Sequence, residues 1–111
     1  MRMTDPGRPE ILVEVAEARG FLGRAKGLLG SSEVGTGRGL LIRAKQVHTL
    51  GMRYAIDTVY LDASGRIIRV DTLRPGRVGP FVLPARWVLE LDAGEADRLG
   101  IAAGGMLVPQ A

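Results

Sequence analysis

The 111-residue chain contains no cysteine and a single histidine, His48. The first absence removes disulfides and thiolate metal sites. The second removes any zinc site built from several histidines of one chain. Aromatic side chains are few: Phe21, Tyr54, Tyr60, Phe81 and Trp87, most of them inside apolar runs. That leaves little for the stacking surfaces on which single-stranded nucleic acids are bound. No stretch approaches the roughly 20 apolar residues of a membrane-spanning helix. Residues 1–9 carry charge and proline where a secretory signal would be apolar, so a cytoplasmic location is expected. Lysine is scarce too, two against thirteen arginines, and glycine is abundant, a pattern that GC-rich coding produces.

The net charge of +3 is unevenly spread. No acid lies between Glu33 and Asp57, where Arg38, Arg43, Lys45 and Arg53 occur. Arg66, Arg69, Arg74, Arg77 and Arg86 then face Asp71 alone, whereas Glu90, Asp92, Glu95 and Asp97 make the tail acidic. A basic middle attracts anions, but without exposed aromatics or a reading helix, nucleic-acid binding is not expected.

The pattern of apolar residues predicts a mainly β (α+β) fold, a compact antiparallel β-sandwich or partly closed barrel with two short helices. Strands are predicted at 11–15, 39–43, 56–61, 66–70, 87–91 and 105–108, from alternation or from runs of β-branched and aromatic residues. Asp62-Ala63-Ser64-Gly65 is turn chemistry joining two of them as a hairpin. Phe21, Leu22, Ala25, Leu28 and Leu29 form one helical stripe, stopped at Gly30. Asp92 followed by Glu95 resembles a capping box opening a second helix. That helix ends at Gly100, with Ile101 closing against Ala96. Residues 1–10 read as a disordered segment, and 11–111 as a single domain of ordinary size.

Familiar catalytic motifs fail. Gly30-Ser31-Ser32-Glu33-Val34-Gly35 has the opening spacing of a phosphate-binding loop, but Thr36 stands where its lysine belongs, and the loop follows a helix. Gly35-Thr36-Gly37-Arg38-Gly39 is no dinucleotide fingerprint, and no Gly-x-Ser-x-Gly elbow exists.

One constellation remains, His48-Thr49-Leu50-Gly51-Met52-Arg53-Tyr54-Ala55-Ile56-Asp57. It gathers the lone histidine, a threonine, an arginine and an aspartate around a glycine bend. Alternation puts Asp57 on the face of Val59 and Leu61, where a buried carboxylate needs partners. His48, Thr49 or Arg53 could supply them. The leading reading is a non-enzymatic binding or accessory module for a small polar or anionic ligand, or for a protein partner, with His48, Thr49, Arg53, Asp57 and Arg43 as ligand-binding candidates. The alternative is a hydrolase or lyase with catalytic candidates His48 as general base and Asp57 orienting it, Arg53 or Arg43 holding substrate. A third is a purely structural clamp or accessory domain. No cofactor and no metal are expected. Phe81-Val82-Leu83, between Pro80 and Pro84, is expected to plug the core, as is Trp87, with Met52 filling a gap beside the bend. Glu90 and Asp92 are expected at an exposed strand end.

The chain resembles the domain-of-unknown-function 192 family. The matching stretches are Arg24-Ala25-Lys26-Gly27-Leu28-Leu29, Gly39-Leu40-Leu41-Ile42, His48 through Asp57 with Val59-Tyr60-Leu61-Asp62, and Val88-Leu89-Glu90-Leu91-Asp92-Ala93-Gly94. Leu29 replaces a usual methionine, and Ala55 a common proline. The resemblance implies a compact β-rich fold and brings no established activity.

Overall fold

Ile56–Leu61 (β4) is buried at all six positions, as a strand is when both faces of its sheet are covered. Its side chains divide by alternation. Val59 and Leu61 enter one apolar core, Ile56 and Tyr60 a second. In the computed structural model, which describes residues 1–17 and 34–110, β4 lies between two antiparallel neighbours, Ile67–Leu73 (β5) and Trp87–Asp92 (β6). The remaining strands are Arg2–Asp5 (β1), Arg8–Glu17 (β2), Arg38–Ile42 (β3) and Val108–Pro109 (β7). A short helix, Glu95–Leu99 (α1), follows β6. The sheet has seven strands in the order β5-β4-β6-β3-β2-β1-β7.

Every pairing is antiparallel except β2 with β3. Parallel neighbours need a dozen or more residues between them, and residues 18–37 supply that length. The sheet rolls. Ile11, Val13 and Val15 of β2 share one core with Val59, Leu61 and Ile67, although β6 and β3 lie between β2 and β4. An isolated bridge between Arg66 and Met106 draws the two edges together, but no continuous ladder closes a barrel. The second core is covered by an irregular ribbon, with Val47, Met52, Val82 and Ala85 packed on Leu40, Ile42 and Val88. The expected mainly β fold is therefore one rolled mixed sheet, its second face covered by loops where a sandwich would place another sheet.

Several expectations need correction. Residues 1–10 are ordered as β1 and the start of β2. Only Met3 of β1 is buried, and the strand is held through its backbone, between β2 and β7. The last strand is confined to Val108–Pro109, with Met106 only in the isolated bridge. The helix expected from Phe21 to Leu29 lies outside the described residues. The N-cap of α1 is Gly94, which makes no side-chain cap bond, so the Asp92–Glu95 capping box does not form. The closure of that helix is as expected: Ile101 and Gly100 donate their amides to the carbonyls of Ala96 and Asp97, a Schellman pair.

The hairpin turn also follows its chemistry. Asp62 Oδ1 accepts the Ser64 hydroxyl at 2.7 Å and the amides of Ser64 and Arg66 at 2.9 and 3.0 Å. These bonds, the Ser64 hydroxyl foremost, hold the Asp62 carboxyl below its ordinary value of 3.8. Gly65 adopts φ +92°, and a Cβ there would meet the Leu107 carbonyl oxygen at 2.5 Å.

Candidate functional site

β4 places Asp57 on the first core's face, 2% exposed. Its Oδ1 accepts the hydroxyl of Thr72, its register partner on β5, at 2.7 Å. Its Oδ2 accepts the amides of Gly94 and Ala96, each at 3.0 Å. Asp57 thus caps α1 from a neighbouring strand, the role that the sequence suggested for Asp92. Asp92 instead accepts the amides of Val34 and Gly35 at 2.7 and 2.9 Å.

Glu95 completes this polar band. It accepts the Gly37 amide at 2.7 Å and two bonds from the Arg98 guanidinium at 2.5 and 2.9 Å. Arg98, then the Gly37 amide, together outweigh burial and hold the Glu95 carboxyl at about 2, against an ordinary 4.5. Asp57, Asp92 and Glu95 all accept backbone N–H groups, so each fastens a loop or helix end. Glu90 is fully buried in the middle of β6, not exposed at a strand end, because alternation puts it on the covered face of Val88, beside Leu40 of the second core. Among the described residues, no three His, Asp or Glu side chains are grouped to hold a metal ion.

His48 and Thr49 belong to a different neighbourhood. Residues 45–49 run antiparallel to residues 77–82 as a ribbon. The Gly79 amide donates to Val47, the Thr49 amide to Arg77 and the Val82 amide to Lys45, at 2.8–2.9 Å, with a bridge between His48 and Val78. Thr49 is fully buried. Its hydroxyl donates to the Arg74 carbonyl at 2.5 Å and accepts the Arg77 amide at 2.9 Å. His48 is half-buried, and its Nδ1 accepts the Leu50 amide at 3.2 Å, so the neutral ring carries its proton on Nε2. The structure therefore groups His48 and Thr49 with the loop at 74–79, and Asp57 with α1 and β5. None of the three bonds to the Asp57 carboxylate comes from the His48–Arg53 bend.

Arg43 and Arg53 are exposed at either end of the bend segment, and Arg74, Arg77 and Arg86 are exposed on the facing loop. None of these five forms an ion pair with a described residue, while Arg2, Arg8, Arg69 and Arg98 each pair with a carboxylate. The ribbon also exposes apolar side chains: Leu50 at 51%, Val78 at 62%, Phe81 at 62% and Leu83 at 69%. Val82 alone of its triplet enters the core, so Phe81 and Leu83 do not act as the expected plug. The rest of the loop is firmly held. Lys45 Nζ donates to the carbonyls of Leu83 and Ala85 at 2.7 and 2.6 Å, and the Tyr60 hydroxyl to that of Pro80 at 3.3 Å. Burial, aided by the Asp71 charge, raises the Tyr60 phenol above its ordinary 10.0. Met52 fills the second core as expected, and Trp87 is half-buried against the first.

The first core also borders a largely apolar cavity of about 230 Å³, lined by Met1, Met3, Leu41, Leu61, Trp87 and Leu107 among others. It adjoins Glu17, the last described residue of β2, and none of the expected site residues lines it.

These features define a class: a small rolled-sheet domain whose buried carboxylates fasten loops, with a cationic and apolar ribbon on its surface. The chain belongs to the DUF192 family, whose model, described as Uncharacterized ACR, matches residues 2–108. It is 29% identical over 106 residues to UPF0127 protein PF1050 of Pyrococcus furiosus, covering 88% of each chain. Its fold is similar to that of a protein of unknown function from Novosphingobium aromaticivorans, with a TM-score of 0.79 and 22% identity over 97% of this chain and 82% of that one. A protein from Sinorhizobium meliloti described as a candidate transcription regulator has a TM-score of 0.77 and 21% identity, over 96% and 89% of the two chains. At those identities the likeness is one of fold.

Proposed function

We propose that the protein is a non-enzymatic binding module that engages an anionic partner through the ribbon of residues 43–53 and 74–86. One observation carries the reading: five exposed guanidiniums, none with an ion-pair partner among the described residues, lie on the two segments of the ribbon, which contain no carboxylate. Exposed guanidiniums are suited to bidentate contact with phosphate or carboxylate groups. Arg43, Arg53, His48 and the Thr49-clamped loop form the contact surface, and Asp57 supports the fold behind it. The hydrolase or lyase alternative needs Asp57 to orient the His48 imidazole, whereas the Asp57 oxygens are engaged by Thr72, Gly94 and Ala96 and His48 Nδ1 is a hydrogen-bond acceptor.

The test is an amide NMR titration of the full chain with a short heparin oligosaccharide as a soluble polyanion. Shifts should concentrate at residues 43–53 and 74–86 and weaken in the Arg53→Glu/Arg77→Glu double variant. Shifts centred on β1 and β2, or unaffected by that variant, would overturn the proposal.

A further inference from the structure

We infer that the anionic partner is the surface of an anionic lipid bilayer, against which the ribbon lies with Leu50, Val78, Phe81 and Leu83 inserted among the headgroups. This deepens the binding-module reading and rests on it. Charge alone would suit any polyanion, so the apolar residues decide the class of partner. All four are more than half exposed, and they stand on a backbone fixed at many points. Val82 donates its amide to Lys45 at 2.8 Å and Ala85 to Val82 at 3.0 Å, while Lys45 Nζ binds two carbonyls of the same loop. Phe81 and Leu83 flank the buried Val82, and both are exposed. Val78 forms the bridge with His48, and Leu50 lies two residues beyond it.

A nucleic-acid backbone would satisfy the arginines and leave this apolar surface in water. A folded protein would have to offer a matching pocket to each protruding side chain. The headgroup region of a bilayer accommodates both kinds of group without preformed pockets, since apolar side chains enter the acyl boundary while cations meet lipid phosphates. Arg43 and Arg86 lie towards one end of the ribbon and Arg53, Arg74 and Arg77 towards the other, so cations flank the apolar residues. Apolar side chains between cations suit a ribbon that rests on an anionic headgroup layer.

The experiment is co-sedimentation of the full chain with vesicles of phosphatidylcholine alone, and with vesicles containing about a third phosphatidylglycerol, beside the heparin titration and a duplex DNA control. Binding to the anionic vesicles is expected to exceed binding to the neutral ones by about tenfold or more, and to weaken with salt. Phe81→Ser/Leu83→Ser should lose about tenfold in vesicle affinity while keeping heparin binding and its melting temperature, because both side chains are exposed. Heparin binding without vesicle binding would overturn the bilayer inference and leave the binding module standing. Binding to neither would overturn both. Unchanged vesicle binding in the serine variant, or tighter binding to DNA than to vesicles at equal salt, would also overturn the inference.

Discussion

Asp57 and Ala96 are 39 residues apart in the chain, yet the carboxylate Oδ2 of the first accepts the backbone amide of the second at 3.0 Å. The same oxygen holds the Gly94 amide, and Oδ1 holds Thr72. One buried side chain thereby joins β4, β5 and the start of α1. Asp57→Ala would strand the buried Ala96 amide and break the bonds to Gly94 and Thr72, at a cost of about 2–4 kcal/mol in unfolding free energy. Asp57→Asn keeps an acceptor oxygen and should cost less. Urea unfolding measures both, and a loss below about 0.5 kcal/mol for the alanine variant would contradict this role.

Glu95 gives the acid limb of the stability profile. Its folded carboxyl titrates at about 2 against an ordinary 4.5, because Arg98 and the Gly37 amide favour the charged form. A depressed carboxylate stabilises the fold above its unfolded value, and that contribution is lost as pH falls from about 4.5 through 2. Glu95→Gln should therefore lower stability at neutral pH by about 1.5–3 kcal/mol and make the decline below pH 4.5 shallower. Thermal unfolding across that range would show parallel wild-type and variant curves if the assignment were wrong.

The central hairpin was legible because its information is local. β-branched and aromatic residues bounded by Asp62-Ala63-Ser64-Gly65 specify two strands and a turn, and β4 spans the expected residues 56–61. β1 left no such signal, since one buried Met3 makes no periodicity and the strand is held through its backbone. The candidate site divided for a related reason. His48 and Thr49 meet their partners in the loop at 74–79, whereas Asp57 meets groups at 72, 94 and 96. Alternation correctly gave Asp57 its face, but which elements lie over that face depends on the strand order. Glu90 was misplaced similarly: its strand reads plainly, but the ribbon that covers the second face of the sheet is a property of the whole fold.

Gly65 should tolerate no side chain. Its φ of +92° disfavours other residues, and an added Cβ would fall 2.5 Å from the Leu107 carbonyl oxygen and 2.7 Å from Val108 Cγ1. Gly65→Ala is expected to cost about 2–4 kcal/mol and to loosen the Leu107 amide bond to the Gly65 carbonyl. Hydrogen exchange at the Leu107 amide reads this directly, and unchanged protection would count against it.

Thr49 and His48 are adjacent but should respond differently to substitution. Thr49→Val keeps the buried shape and strands the Arg74 carbonyl and the Arg77 amide, a loss of about 1–3 kcal/mol. His48→Ala frees the amide of exposed Leu50 to solvent and should cost about 1 kcal/mol or less. Thermal unfolding of the two variants tests the order. The reverse ranking would place the structural clamp on His48.

Duplex DNA should bind weakly and without sequence preference. The ribbon offers five exposed arginines, but the described helix has five residues, too few to fill a major groove as a recognition helix does. Each phosphate neutralised releases a counterion, so contacts by four or five arginines would lose affinity by about two to three orders of magnitude between roughly 50 and 200 mM salt. Arg53→Glu/Arg77→Glu should flatten that dependence, because fewer counterions are released. Fluorescence anisotropy with two unrelated duplexes measures both effects. Selective binding to one duplex that persisted at the higher salt would show base readout by this surface and contradict its assignment as a general anion-contacting face.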